Sequence, residues 1–175
     1  MSRDIEDLVP AFRGSVRQVL EACKAQGVII VPTFTVRSPI EQAILYRQSR
    51  TMDVISKKIQ FLHDQKADYL ADVLRDVGPR NGNWATNALP GASWHQFGEG
   101  FDGAWKVGDT IEWSTTKLIN GENGYRLYAQ KAEEFGLTSL GPSIGDWAHI
   151  QLRKEDVTDI YTWKEINDRM KERFG

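Results

Sequence analysis

The sequence holds a single cysteine, Cys23, which excludes an intrachain disulfide framework and a cysteine-based zinc site. Any metal must then be held by histidines and carboxylates, and histidine is scarce too, with three in all. Long apolar runs are missing. The most apolar stretch, Val28-Ile29-Ile30-Val31, is far too short to cross a bilayer core about 30 Å thick, so no membrane anchor is expected. Neither sign of charge prevails. Lys+Arg 22 against Asp+Glu 24 gives a formal net charge of −2, which argues against a nucleic-acid partner bound by broad phosphate neutralisation and leaves only a local basic groove open. The opening residues, Met1-Ser2-Arg3-Asp4-Ile5-Glu6-Asp7, lack a basic segment leading into an apolar one. No secretory signal is expected from them, and synthesis in the cytoplasm is.

What is present reads as one globular domain. The 175 residues are 41% hydrophobic and 26% charged, a composition that can bury a core, and a single monomeric domain over 1–175 is expected. Pro10 suits the first position of a helix whose apolar residues Phe12, Val16, Val19, Leu20 and Cys23 recur at helical spacing up to a stop at Gly27. Val28 to Val36 reads as a strand, irregular at Pro32. Ser38-Pro39-Ile40-Glu41 has the pattern of a helix start, predicting a helix from Pro39 to about Ser49 with Ile40, Ile44 and Leu45 inward. Asp53 to Val77 predicts one long amphipathic helix closed by Gly78-Pro79. Arg80 to Gly108 is rich in glycine, tryptophan and turn signals. Further helices are expected at Glu122–Phe135 and Trp163–Phe174, and a strand at Trp147–Leu152.

Two of the three histidines lie where chemistry could gather. His63 has the setting of a surface helix. His95 belongs to Ser93-Trp94-His95-Gln96-Phe97-Gly98-Glu99-Gly100-Phe101-Asp102, where the glycines permit a tight path that could return Asp102 towards His95. Alternation along Phe101–Trp105 sets Asp102 on the face opposite Phe101, Gly103 and Trp105. An Asp in such an apolar strand needs a partner. The second stretch, Gly145-Asp146-Trp147-Ala148-His149-Ile150-Gln151-Leu152, turns Ala148, Ile150 and Leu152 to the core and His149 to the other surface, with Asp146 just before it. Two imidazoles and one carboxylate leave a position open on a zinc ion, the arrangement of catalytic rather than structural sites.

Together these residues resemble a family. Ser93-x-His95-x-x-Gly98-x-Gly100-x-Asp102 with Asp146-x-x-His149 resembles the paired zinc signature of the D-Ala-D-Ala metallopeptidases, among them VanY-type carboxypeptidases, VanX-type dipeptidases and the L-alanyl-D-glutamate endopeptidase endolysins of phages. The run Val36-Arg37-Ser38-x-x-x-Gln42-x-x-Leu45-Tyr46 is similar to that family's arginine motif, and Thr86-Asn87-Ala88 is similar to its approach to the first zinc motif. The resemblance spans about Val28 to Leu152. It implies a small antiparallel sheet carrying the zinc site and flanked by helices, an α+β fold of the hedgehog/D-Ala-D-Ala peptidase kind. It further implies that His95, Asp102 and His149 bind zinc, that Asp146 is general base and acid, and that Arg37 stabilises the oxyanion, with Ser93 as scaffold beside the site.

The implied partner is the peptidoglycan stem peptide. An Asp in the base position, where carboxypeptidase and dipeptidase members usually carry Glu, looks more like the endolysin branch. Gly100 stands where Ala is usual, and the helical stretch at about 53–77 is an insertion relative to compact endolysins. Gln42 and Trp147 join Ser93 as candidate substrate-side residues. Plainer roles stand beside these: Arg37 paired with Glu41, Gln42 as a packing or orienting residue, and Trp94, Trp105, Trp113 and Trp147 as core instead of groove. The alternatives in function are a D-alanyl-D-alanine carboxypeptidase and a non-catalytic zinc-bearing wall-binding module.

Overall fold

A computed structural model describes all of residues 1–175. In chain order it holds helix α1 (Pro10–Ala25), strand β1 (Ile29–Phe34), helices α2 (Pro39–Arg47), α3 (Met52–Asp64) and α4 (Asp68–Asp76), strands β2 (Gly100–Val107) and β3 (Thr110–Glu112), helix α5 (Gly124–Glu134), strand β4 (Thr138–Leu140), the single turn α6 (Gly141–Ile144), strand β5 (Asp146–Gln151), and helices α7 (Val157–Ile160) and α8 (Trp163–Phe174). The class is the expected α+β. These elements gather into two units, Met1–Val36 with Phe97–Lys154 and Arg37–Gln96 with Glu155–Gly175.

The first unit is built on an antiparallel sheet in the order β1-β2-β5-β4, with β3 also on β2. β1 occupies one edge of β2, while β5 takes the first part of the other edge at Gly100–Asp102 and β3 the last part at Trp105–Val107. The register of β1 shifts between Pro32 and Phe34, where proline has no N–H to give the ladder. Alternate residues divide between the faces. Phe101, Trp105 and Ile150 join Phe12, Val16 and Val19 of α1 and Tyr125 and Tyr128 of α5 in the core. Cys23 is part of that core, and burial pushes its thiol pKa up to about 12.

The second unit is helical. α2 starts as its sequence predicts, with Pro39 in the first turn and a reciprocal capping box between Ser38 and Glu41. Its buried face differs from the expected one: Pro39, Gln42, Ala43, Tyr46 and Arg47 are buried, while Ile40 is 51% exposed and Ile44 and Leu45 are half-buried. The reason is polar. Arg47 donates through Nε to the carbonyl of Leu74 at 2.8 Å and through Nη2 to that of Arg75 at 3.3 Å, serving the C-terminal end of α4, where a cation meets otherwise orphaned carbonyls.

The one helix expected over Asp53–Val77 is two. Lys66 adopts a left-handed φ of 60°, and the amides of Ala67 and Lys66 reach back to the carbonyls of Leu62 at 2.8 Å and His63 at 2.9 Å. That is a Schellman ending on a non-glycine residue. It lets α4 turn and pack against α3, α2 and α8, burying Leu70, Ala71, Val73 and Leu74.

Candidate metal centre

His95 lies in a short 3₁₀ turn, Trp94–Phe97, and is buried. The turn is held around it: Trp94 Nε1 donates to the carbonyl of Glu155 at 2.9 Å, and Gln96 Oε1 accepts from the amide of Gly91 at 2.9 Å. Gly98, at a φ of +73° that an L side chain rarely adopts, then turns the chain into β2. The β2–β5 register makes Asp102 and His149 direct partners. One donor atom from each of His95, Asp102 and His149 lies within 4.8 Å of the others, and donors on one tetrahedral zinc ion stand roughly 3.3–3.6 Å apart, so a small closure of the side chains would seat an ion. The three form a cluster able to hold a metal.

His149 is held at both nitrogens. Its Nδ1 stands 2.8 Å from Asp102 Oδ1, and its Nε2 stands 3.1 Å from Gln151 Oε1. The amide of Gln151 has one orientation, because its Nε2 donates to the carbonyl of Arg153 at 2.9 Å, which leaves its oxygen for His149. An oxygen there accepts only, so Nε2 of His149 carries a proton and Nδ1 is the nitrogen left for an ion. Burial alone favours the neutral ring, yet the hydrogen bond and charge of Asp102, with the charge of Asp146 and the bond to Gln151, outweigh it and raise the His149 pKa. The contact with Asp102 thus favours the protonated ring. A divalent cation held at Nδ1 would replace a proton there.

The other predicted residues fall as follows. Asp146 is exposed at the start of β5, near enough for its charge to act on His149. Arg37 is buried; its Nη1 donates to Gln42 Oε1 at 3.0 Å, and its backbone amide donates to the carbonyl of His95 at 3.3 Å. Gln42 is fully buried. Its amide also reaches the carbonyl of Ala88 at 2.8 Å and Thr86 Oγ1 at 3.2 Å, so it orients Arg37 from the Thr86–Ala88 loop. Ser93 is half-buried, its carbonyl accepting from the amide of Gln96 at 3.0 Å. Trp147 is half-buried against the core, with the Arg126 guanidinium 5.2 Å from its ring centre. Trp94 and Trp105 are buried, Trp113 is exposed, and His63 pairs with Asp68 at 2.6 Å away from the cluster's residues in sequence.

Sequence reading gave Gln151 no role. The signal was present: a polar residue two positions beyond His149 shares its strand face.

No protein-family model matches the chain, and no curated protein does. Among solved structures, the vancomycin resistance D,D-pentapeptidase VanY from a VanB-type resistance cassette, a single-residue mutant in complex with Zn(II), is similar to this chain with a TM-score of 0.47 and 17% sequence identity. The match covers 91% of this chain and 83% of that one.

Proposed function

We propose that this chain is a zinc-dependent peptidase that hydrolyses an amide bond in bacterial peptidoglycan stem peptides, the L-alanyl-D-glutamate bond or a neighbour of it, in the manner of a phage endolysin. The observation that carries the reading is the meeting of three metal-ligating side chains from separate stretches of sequence, with donor atoms within 4.8 Å. A His–Asp–His set suits zinc and leaves coordination open for catalysis, where the ion supplies Lewis acidity towards a carbonyl and makes water more acidic.

The chain's own residues do the rest. Asp146 takes the proton of the attacking water and returns it to the leaving nitrogen, a task for an accessible carboxylate beside the ligands. Arg37, oriented by Gln42, stabilises the negative charge that develops on the carbonyl oxygen. Gln151 keeps His149 in the tautomer that presents Nδ1. No helix is long and apolar enough to cross a membrane, and in the endolysin reading the wall is reached once the membrane has been permeabilised.

The test is digestion of purified sacculi by the chelator-stripped protein with and without added zinc, followed by mass spectrometry of the muropeptides. Zinc-restored release of new D-glutamate amino termini is expected. Loss of terminal D-alanine alone would instead assign a carboxypeptidase, and binding to sacculi with no bond cut would leave a wall-binding module.

A further inference from the structure

In the helical unit, a cavity of about 330 Å³ is lined by Ser49, Arg50, Thr51, Arg80, Asn81 and Gly82. Two arginines are among the lining residues and no acidic residue is. Arg47 adds a third positive charge, close enough for Arg80 to act on it. Several other arginines meet acids: Arg75 meets Asp72 and Asp76, Arg153 meets Glu99, and Arg13 and Arg17 meet Glu6. Here Arg47 and Arg50 bond to backbone carbonyls instead, Arg50 to those of Tyr46 and Thr86. Like charges gathered without a counter-charge are unfavourable, and an anion would relieve them.

Local contacts hold its walls. The Arg50 guanidinium lies 3.7 Å from the ring centre of Tyr46 and 3.8 Å from that of Trp84, so it is held between the two rings. Ser49 adopts a φ of 60° and donates to the carbonyl of Gly82 at 2.6 Å. Gly82 has a φ of +140°, a conformation that L side chains rarely adopt, which favours glycine where the loop closes on the end of α2. A non-glycine residue in the left-handed region is a strained conformation that the surroundings must enforce. Thr51 caps α3, a helix of 13 residues, placing that helix's positive end at the cavity wall.

We propose that this pocket binds the phosphodiester group of a polyol or sugar polymer, with Arg50 and Arg80 holding the phosphate and Trp84 supporting the adjoining polyol or sugar. Arg50, Arg80, Asn81 and Thr51 line the pocket with side chains that carry hydrogen-bond donors, and a phosphate can take more such donors at once than a carboxylate served by one guanidinium fork. The cavity exceeds what a bare phosphate fills. Trp84 is 58% exposed although Arg50 covers one of its faces, leaving ring surface beside the anion. The assignment stands independently of the metal centre.

Calorimetric titration of the full-length chain with glycerophosphoglycerol, inorganic phosphate, glycerol and acetate tests it. Saturable binding of the diester is expected, weakening steeply as salt rises from about 50 to about 200 mM and falling about tenfold or more in Arg80→Glu, where an exposed side chain is replaced by an acid. Arg80→Gln, with circular dichroism on both variants, separates loss of charge from loss of fold. Equal binding of inorganic phosphate would keep the anion site and overturn the polymer as its ligand. Binding of acetate as tight as the diester, binding unchanged in both variants, or no saturable binding of any phosphate would overturn the proposal.

Discussion

Asp102 and His149 are opposite one another across the antiparallel β2–β5 pair, and Oδ1 of the first stands 2.8 Å from Nδ1 of the second. Their contact joins residues 47 apart in sequence, yet it is held by two paired strands instead of a loop. Directly opposed side chains share a face at about 4.5–5.5 Å between Cβ atoms, so the sheet itself presents both donors. Ligands on strands are positioned more tightly than ligands on loops.

The Gln151 contact predicts a metal-affinity effect. Gln151→Leu removes the acceptor that holds the proton on His149 Nε2, and zinc affinity should fall about 10–100-fold, the usual cost of losing such a partner. Gln151→Glu, which still accepts, should keep most of it. Competition with a chromogenic chelator measures both, and equal affinity for Leu, Glu and wild type would remove the orienting role.

Protons and metal should compete at His149. Its pKa in the folded, metal-free protein lies above the ordinary 6.5, with burial opposing the shift and Asp102 prevailing. The stability this contributes to the metal-free protein is fully present below about pH 6.5 and is lost as pH rises through the folded value. Metal affinity runs the other way. It should climb across that interval with release of a proton. Calorimetry in two buffers of different ionisation enthalpy counts that proton, and a count of zero just above pH 6.5 would contradict the geometry described.

Asp146 and His149 should separate on substitution. Asp146→Ala should retain zinc while losing about 10²–10⁴-fold in turnover, the range of general acid–base catalysis. His149→Ala should lose both. Zinc content by elemental analysis, set beside sacculus digestion, distinguishes them; an Asp146→Ala protein as active as wild type would end the assignment of a base.

Two glycines should respond oppositely to alanine. A Cβ on Gly103 would lie 2.4 Å from Ile30 Cγ2 and 3.3 Å from the Tyr128 hydroxyl, inside the core face of the sheet. Gly103→Ala should cost about 1–3 kcal/mol, lowering Tm by several degrees at roughly 2–4 °C per kcal/mol for this size. Gly14 lies within α1 with nothing within 4 Å of a Cβ. Gly14→Ala should raise stability by about 0.5–1 kcal/mol, the helix penalty of glycine. Thermal melts of both variants check the pair.

Much of the chain was legible because the forces that decide it are short-ranged. α8 runs Trp163–Phe174 as expected, since the Thr162–Glu165 capping box sets its start from residues three positions apart. The same holds for Ser38 and Glu41 at α2. The three donors could be named from residue type, glycine placement and strand alternation. The inward face of α2 could not, because Gln42 and Arg47 are buried to serve carbonyls on remote segments, and apolar periodicity does not register such partners. Nor could the break at Lys66, which no glycine or proline announces and which goes with the packing of α4 on α2 and α8.

The sequence by itself determined the donor types, the caps and the faces of the strands, all of which follow from chemistry and spacing within a few residues. Only the tertiary structure decided the β2–β5 register that sets Asp102 beside His149, the carbonyl of Arg153 that turns Gln151 towards the imidazole, and the stacking of Arg50 between Tyr46 and Trp84. Each of these depends on where a distant stretch of backbone comes to rest, and that is settled by burial within its own unit instead of by any local preference.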